Sequence, residues 1–337
     1  MSFLDAYFNA QIDEDNHFFF STVNKEAEQV IQKQLCISPL FNVGLIKVSG
    51  VNAKTFLQGQ LSCDVNTIDA NQNSFGAYCT VQGRIQSFFT LCMYDNDYFL
   101  SLPLSMLPIT LTELRKYAVF SKVNIDDVTN TYKILGVYGD KTKVVSFFEQ
   151  AQLPLPEKNF LSTISISNKE NGIKINRLYS SDETILAQLI IPQSATEIMW
   201  QKFLDHHAAP IGDNAWQLVL IEQGIPSIDE KLTALFLPHN LNLPELNAVN
   251  FKKGCYRGQE IVARMQYLGK IKKHLYRVTV MSNFMPENGS ACASADEKEI
   301  GQIINSAWLS TGKLLCLVML QDEAMENQLT IKILPKK

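Results

Sequence analysis

The chain has 337 residues, 46% of them hydrophobic and 19% charged, with a formal net charge of −4. That length exceeds one ordinary core and calls for two or three domains. The acidic balance argues against broad electrostatic affinity for nucleic acid or a membrane surface, and no apolar run approaches the ~18 residues of a membrane span.

Leu45–Val48 reads as a strand. Asn52 is placed to cap a helix over Ala53–Gln58 that Gly59 ends. Strands follow at Phe75–Val81, Ile85–Tyr94 and Tyr98–Leu102, and the turn residues Gln82-Gly83 and Asp95-Asn96-Asp97 between them indicate hairpins. The pattern predicts a helix over Leu111–Phe120, strands at Val123–Asp126 and Tyr132–Tyr138, and a helix over Lys141–Ala151. A Pro-rich stretch, Leu153–Glu157, precedes strands at Thr163–Ser167, Ile173–Arg177 and Ile185–Ile191. Ser194 and Asp213 are candidate caps for helices running to His206 and over Asn214–Gln223, the second ended by Gly224. From Leu275 the character changes to short strands: Leu275–Met281, Gly289–Ala293, Ile300–Ser306, Lys313–Leu320 and Gln328–Leu334. This divides the chain into an N-terminal segment 1–40, α+β domains at 41–130 and 131–250, a cysteine-bearing segment 251–275 and an all-β unit at 276–337. The two α+β parts read as related halves.

The most reactive-looking local sequence is Lys253-Gly254-Cys255-Tyr256-Arg257-Gly258-Gln259-Glu260. Glycines flank the cysteine, two cations stand beside it, and a helix starts near Gly258. Each feature favours thiolate over thiol. The plainer account of Cys255 is a small residue fitted into a tight turn. Tyr256 can stack on a ligand ring or fill the core. Arg257 and Lys253 can bind a carboxylate or phosphate. Glu260 can start the helix or accept a proton, with Gln259 in the same first turn. Arg264 lies four residues after Glu260, the spacing of a surface ion pair. Between Lys252 and Arg277 there are eight Lys/Arg and one acid, a local +7 that suits an anionic ligand, although Lys270, Lys272 and Lys273 also suit a defended strand edge.

The seven cysteines are scattered without a C-x-x-C pair, so no metal site or dithiol motif is expected, and a reducing cytoplasm fits their use. The acidic start, with its first arginine at Arg84, leads us to expect no secretory leader. Nucleotide-binding glycine motifs, zincin and hydrolase signatures are absent.

Lys253–Glu260 resembles the K-G-C-Y-x-G-Q-E signature of the YgfZ family of folate-binding proteins. Phe236–Leu243 resembles that family's F-x-P-Q-x-x-N-L stretch, with His239 where glutamine is usual. Arg264, Gly269 and Lys273 fit its R-x-x-x-x-G-x-x-K pattern, Phe56-Leu57-Gln58-Gly59-Gln60 with Asp64-Val65 its F-L-Q-G-Q…D-V segment, and Gly83-Arg84 its G-[KR] turn. The resemblance implies the fold of the glycine cleavage T-protein superfamily: two α+β domains and a C-terminal β-barrel around a central channel that holds tetrahydrofolate or another reduced folate. It implies an accessory role toward iron–sulfur enzymes, some of them tRNA-modifying, with iron–sulfur client or assembly proteins as partners; the charge balance and the lack of a long apolar run lead us to expect no direct contact with nucleic acid or membrane. Cys255 would be the working group, and Lys253, Gly254, Tyr256, Arg257, Gly258, Gln259, Glu260 and Arg264 the ligand-binding residues. T-proteins carry two aspartates just after the hairpin glycine where this chain has Gln86 and Ser87, and a folate-binding arginine where it has Leu220. An amide and a hydroxyl cannot supply the missing charge. Aminomethyl transfer and folate-independent thiol chemistry are therefore the alternatives.

Overall fold

The computed structural model describes residues 10–14, 17–156, 161–166, 172–294, 298–326 and 332–333. The first elements are β1 (Gln11–Ile12), β2 (Phe18–Phe19), the helix α1 (Val23–Ile31) and β3 (Cys36–Pro39), none of which the sequence pattern predicts. The α1 signal is present in hindsight: Thr22 caps it by accepting from the Lys25 amide, and Ala27 and Val30 form a buried stripe.

Next come β4 (Val43–Ser49), α2 (Ala53–Gln60), β5 (Ser74–Cys79), β6 (Ile85–Tyr94), β7 (Asp97–Pro103), α3 (Leu107–Ala118) and β8 (Asn124–Asp127). The second unit runs β9 (Tyr132–Asp140), α4 (Lys141–Gln150), β10 (Ser162–Ile166), β11 (Ile173–Ser180), β12 (Thr184–Pro192), α5 (Thr196–Asp205) and β13 (Ala209–Pro210). Both units thus repeat one element order, strand-helix-three strands-helix-strand. Their sheets repeat it in space: β5-β6-β7-β4-β8 in the first and β10-β11-β12-β9-β3-β13 in the second, where β3 is inserted between β9 and β13.

The helix ends depart from expectation for local reasons. The α3 helix begins four residues early because Pro108 suits a first turn, where its missing N–H costs nothing. Asn52 stands at the head of α2 but makes no side-chain cap bond, and α2 continues past Gly59. Ser194 lies in a short 3-10 turn, not at a cap. Asp213 is the first residue of α6 (Asp213–Glu222), capped by Gly212, and its carboxylate instead accepts from the Phe18 amide at 3.0 Å.

After a long irregular passage come α7 (Gln259–Leu268), β14 (Lys273–Met281), β15 (Ala291–Ala293), β16 (Glu299–Ser310), β17 (Lys313–Gln321), α8 (Asp322–Glu326) and β18 (Lys332–Ile333). The expected C-terminal barrel is not confirmed. The described strands form an open sheet, β14-β17-β16-β15-β18, with β14 at one edge and β18 at the other, and no closure among the described residues. Most of the strand expected over 328–334 lies outside the described residues.

Alternation along the strands shows how the sheets assemble. On β12, Ile185, Ala187, Leu189 and Ile191 face α4 and α5, while Leu186 and Ile190 face a central cluster. On β6, Phe89 and Leu91 face the α2 and α3 side, while Phe88 and Cys92 face the same centre. On β17, Leu315, Leu317 and Met319 turn to the centre, and Leu314, Cys316 and Val318 to a smaller core. The α6 helix supplies Leu218, Val219 and Ile221 to the centre. Sheets buried on both faces read as near-continuous apolar runs, as these strands do. The three sheets therefore meet in one apolar mass.

Candidate functional site

The cysteine motif lies where the irregular passage enters α7. Of the seven cysteines, Cys255 alone is exposed, the other six being buried. Burial pushes the thiols of Cys36, Cys63, Cys79, Cys292 and Cys316 up to about 12, which makes them inert small apolar residues.

The two cations flanking Cys255 are engaged away from it. Lys253 sends its ammonium into a cradle of three backbone carbonyls, Gln58 O at 2.7 Å, Leu61 O at 2.8 Å and Cys63 O at 2.7 Å. These lie at the C-terminal end of α2, where unpaired carbonyls attract a cation. Burial pulls the Lys253 pKa down to about 8, while nearby Cys63 and Asp64 oppose the shift. The cradle starts in the Gln58-Gly59-Gln60 segment and is completed by Leu61 and Cys63 just beyond it. Gln58 braces it, donating to Asp64 Oδ1 at 2.9 Å and accepting from the Val65 amide at 2.7 Å. Two motifs separated by about 190 positions in sequence thus form one clamp.

Arg257 donates to the Tyr78 hydroxyl and pairs with Glu113 at 3.2 Å. Its guanidinium also sits 4.9 Å from the Tyr78 ring centroid and 5.1 Å from that of Tyr117. Lys116 and Arg257 together hold the Glu113 carboxyl below its ordinary value. Arg257 therefore fastens the motif to α3.

Tyr256 is 7% exposed, with the Lys253 ammonium 5.2 Å from its ring. Its hydroxyl is buried without a hydrogen-bond partner among the described residues, and burial raises its pKa. Gln259 closes the turn, its amide donating to Tyr256 O at 3.1 Å and its side chain accepting from the Tyr256 amide at 3.3 Å. Glu260 and Arg264 are both exposed, and no ion pair joins them among the described residues.

Gly258 is the head of α7, at φ +82°. A Cβ there would strike the Thr80 carbonyl oxygen and lie 3.0 Å from Gly83 Cα. Gly83, at φ +73°, occupies the β5–β6 hairpin tip, and its own added Cβ would lie 3.1 Å from Ile261 Cβ and 3.2 Å from Gly258 O. The two glycines are back to back. The hairpin tip packs on the start of α7, and Arg84 reaches the Leu235 carbonyl. At Gly254, by contrast, an added Cβ would meet nothing within 4 Å. Packing does not ask for glycine there, and the space beside Cys255 is open.

His239 is 4% exposed and shares a hydrogen bond at 3.1 Å with Gln266 of α7 through Nε2. Burial lowers its pKa, so it serves as a neutral brace. Ser87 is fully buried, its hydroxyl 2.6 Å from that of Thr110. Gln86 lends its backbone carbonyl to Thr233. Leu220 packs against the central cluster. No group of three His, Cys, Asp or Glu side chains able to hold a metal occurs among the described residues, nor is any described helix long and apolar enough to cross a membrane.

Just upstream of the motif is a surface depression of about 400 Å3. Its walls come from the first unit (Asp64, Thr67, Gln72, Asn73, Ser74), the second (Leu161) and the loop Asn247–Lys252. Asn73 is 1% exposed, and its Oδ1 has no hydrogen-bond partner among the described residues. Sequence reasoning missed this feature, because its residues come from distant segments and, Asp64 apart, its polar side chains lie outside the motifs.

Comparison with known proteins places the chain in a family. Residues 4–253 match the family model of the GCVT N-terminal domain. The tRNA-modifying protein YgfZ of Photobacterium profundum is 30% identical over 317 residues, 93% of this chain and 91% of that protein. Its namesake from Hamiltonella defensa is 34% identical over 289 residues, 84% and 79% respectively. The glycine cleavage aminomethyltransferase T of Bartonella henselae superposes with a TM-score of 0.73 at 15% identity, over 90% of this chain and 86% of that one, and so shares the fold. On relatives matched over most of both chains and a family model that covers residues 4–253, the chain belongs to the YgfZ family, built on the T-protein type of α+β fold.

Proposed function

We propose that this protein binds tetrahydrofolate or another reduced folate and supports the assembly or repair of iron–sulfur enzymes, tRNA-modifying ones among them, through Cys255. The observation that carries the reading is the contrast among seven cysteines. Six are buried, and the seventh stands exposed on a loop fastened by Lys253, Arg257, Gly258 and Gln259. A loop held that firmly, with an open side at Gly254, suits a thiol that meets a partner or ligand repeatedly in one geometry.

The residues present fit a folate. A pteridine edge carries several donors and acceptors, and the depression is lined by the polar side chains of Asp64, Thr67, Gln72, Asn247 and Asn250. Lys252 on its wall is the cation available to a glutamate tail, since Lys253 and Arg257 are committed to carbonyls and to Glu113. When bound, the folate would supply one-carbon or redox chemistry, while the protein positions Cys255 and shields the ring. Aminomethyl transfer is disfavoured. Gln86 and Ser87 carry no charge, and the Ser87 hydroxyl is spent on Thr110 inside the core.

The test uses the full chain. Calorimetry should detect tetrahydrofolate binding that Lys252→Glu weakens about tenfold for a polyglutamylated ligand. A thiol reagent should label Cys255 at a rate that saturating tetrahydrofolate changes, and Cys255→Ala should fail to restore an iron–sulfur tRNA-modifying activity to cells lacking the protein. Full restoration by Cys255→Ala would sink the thiol role. Absence of folate binding, with labelling unchanged, would favour folate-independent thiol chemistry.

A further inference from the structure

We infer that the exposed face at the C-terminal half of α7, together with the segment leading into β14, is a binding surface for single-stranded or looped RNA. The inference does not depend on the folate reading. Of the eight Lys/Arg between Lys252 and Arg277, Lys253 is held by carbonyls, Arg257 by Glu113, and Arg277 by Glu222 at 2.9 Å. Arg264, Lys270, Lys272 and Lys273 are exposed, and no carboxylate lies within ion-pair distance of any of them among the described residues.

These cations are not alone. Arg264, Tyr267 and Leu268 stand at i, i+3 and i+4 on α7 and share one face. Tyr267 is 67% exposed and Leu268 82% exposed, although Tyr267 touches Phe251 edge-on at 6.4 Å. Helix-end electrostatics explains a cation or two beyond α7, and Lys273 begins an edge strand that a lysine protects. Neither reason explains an uncovered tyrosine among them. A flexible polynucleotide uses both features, with phosphates on the cations and an unstacked base on the ring. An acidic peptide would use the charges and leave the ring idle. The net charge of −4 works with this local surplus, because the remainder of the surface repels a polyanion and confines it to this face. The expectation of no nucleic-acid contact came from the whole-chain charge, which averages this surplus away.

The test is fluorescence anisotropy of labelled, unfractionated tRNA with the full chain, titrated across potassium chloride concentrations. Four phosphate contacts predict a log–log salt slope of about −3. Lys270→Glu/Lys272→Glu/Lys273→Glu should weaken binding at least about thirtyfold and flatten the slope by about two. Tyr267→Ala should weaken it about fivefold with the slope unchanged. Lys25→Glu/Lys143→Glu, on other exposed helical positions, should leave binding as it was. If the charge-reversed triple variant does not fold, as judged by circular dichroism, the Lys→Gln triple gives the same reading with a smaller loss. The inference is overturned if wild-type protein does not bind at low salt, or if the control reversal weakens binding as much as the triple. It is also overturned if polyglutamate competes as well as RNA while Tyr267→Ala has no effect, which would assign the face to an acidic protein.

Discussion

Three glycines of the site region form a graded series, and the steepest change is Gly258→Ala. Two costs combine at that position. Alanine at φ +82° occupies the left-handed region at about 1–2 kcal/mol. Its Cβ also meets backbone on the hairpin, the Thr80 carbonyl oxygen and Gly83 Cα at 3.0 Å, where no side-chain rotation relieves the contact. Overpacking against an unyielding neighbour typically costs a further 1–3 kcal/mol, so about 3 kcal/mol is expected in total. Gly83→Ala keeps the conformational cost, at φ +73°, but its nearest contacts at 3.1–3.2 Å include side-chain atoms of Ile261 and Val262 that can yield slightly. It should lose about 1–2 kcal/mol. Gly254→Ala, with nothing within 4 Å, should change stability by no more than about 0.5 kcal/mol. Urea unfolding followed by tryptophan fluorescence measures all three. A Gly258→Ala midpoint equal to that of Gly254→Ala would refute the back-to-back packing of the hairpin tip on α7.

Other outcomes follow from the same geometry. Lys253→Met strips three charge-assisted donors from the Gln58, Leu61 and Cys63 carbonyls, and a net loss of about 2–4 kcal/mol in a urea melt is expected after the relief of desolvation; an unchanged midpoint would show that water replaces the ammonium freely. Arg257→Lys gives up the stacking on Tyr78 and Tyr117 and should cost about 1–2 kcal/mol while leaving tetrahydrofolate affinity unchanged, so a large loss of affinity would return Arg257 to the ligand. Burial raises the Asp213 carboxyl to about 6, above its unfolded value near 3.8. The folded state therefore holds that proton more tightly, and the associated stability, full at pH 3.8 and below, is lost as pH rises toward and through 6. Asp213→Asn should raise stability at pH 7 by about 2 kcal/mol, allowing for partial solvent screening, and should flatten the pH 4–6 part of the stability profile; equal profiles would refute the burial argument.

The sequence by itself determined the strands whose two faces are both covered, because largely apolar runs such as Ile85–Tyr94 and Ile185–Ile191 need no knowledge of their partners. It also marked the cysteine motif, since one short segment carries its whole pattern. Other features were decided only by the tertiary structure. β1 and β2 are two residues each, and β3 owes its place to pairing with β9, a contact about 100 positions away that leaves no periodicity in the chain. The charge reading around Cys255 went astray for a related reason. Proximity in sequence put Lys253 and Arg257 beside the sulfur, but a long side chain follows the best unpaired acceptors within reach, and those belonged to α2 and α3. Likewise Gly83 and Gly258 are each legible as turn formers, while the added cost of a side chain at either, their contact with one another, exists only once the hairpin has docked on α7.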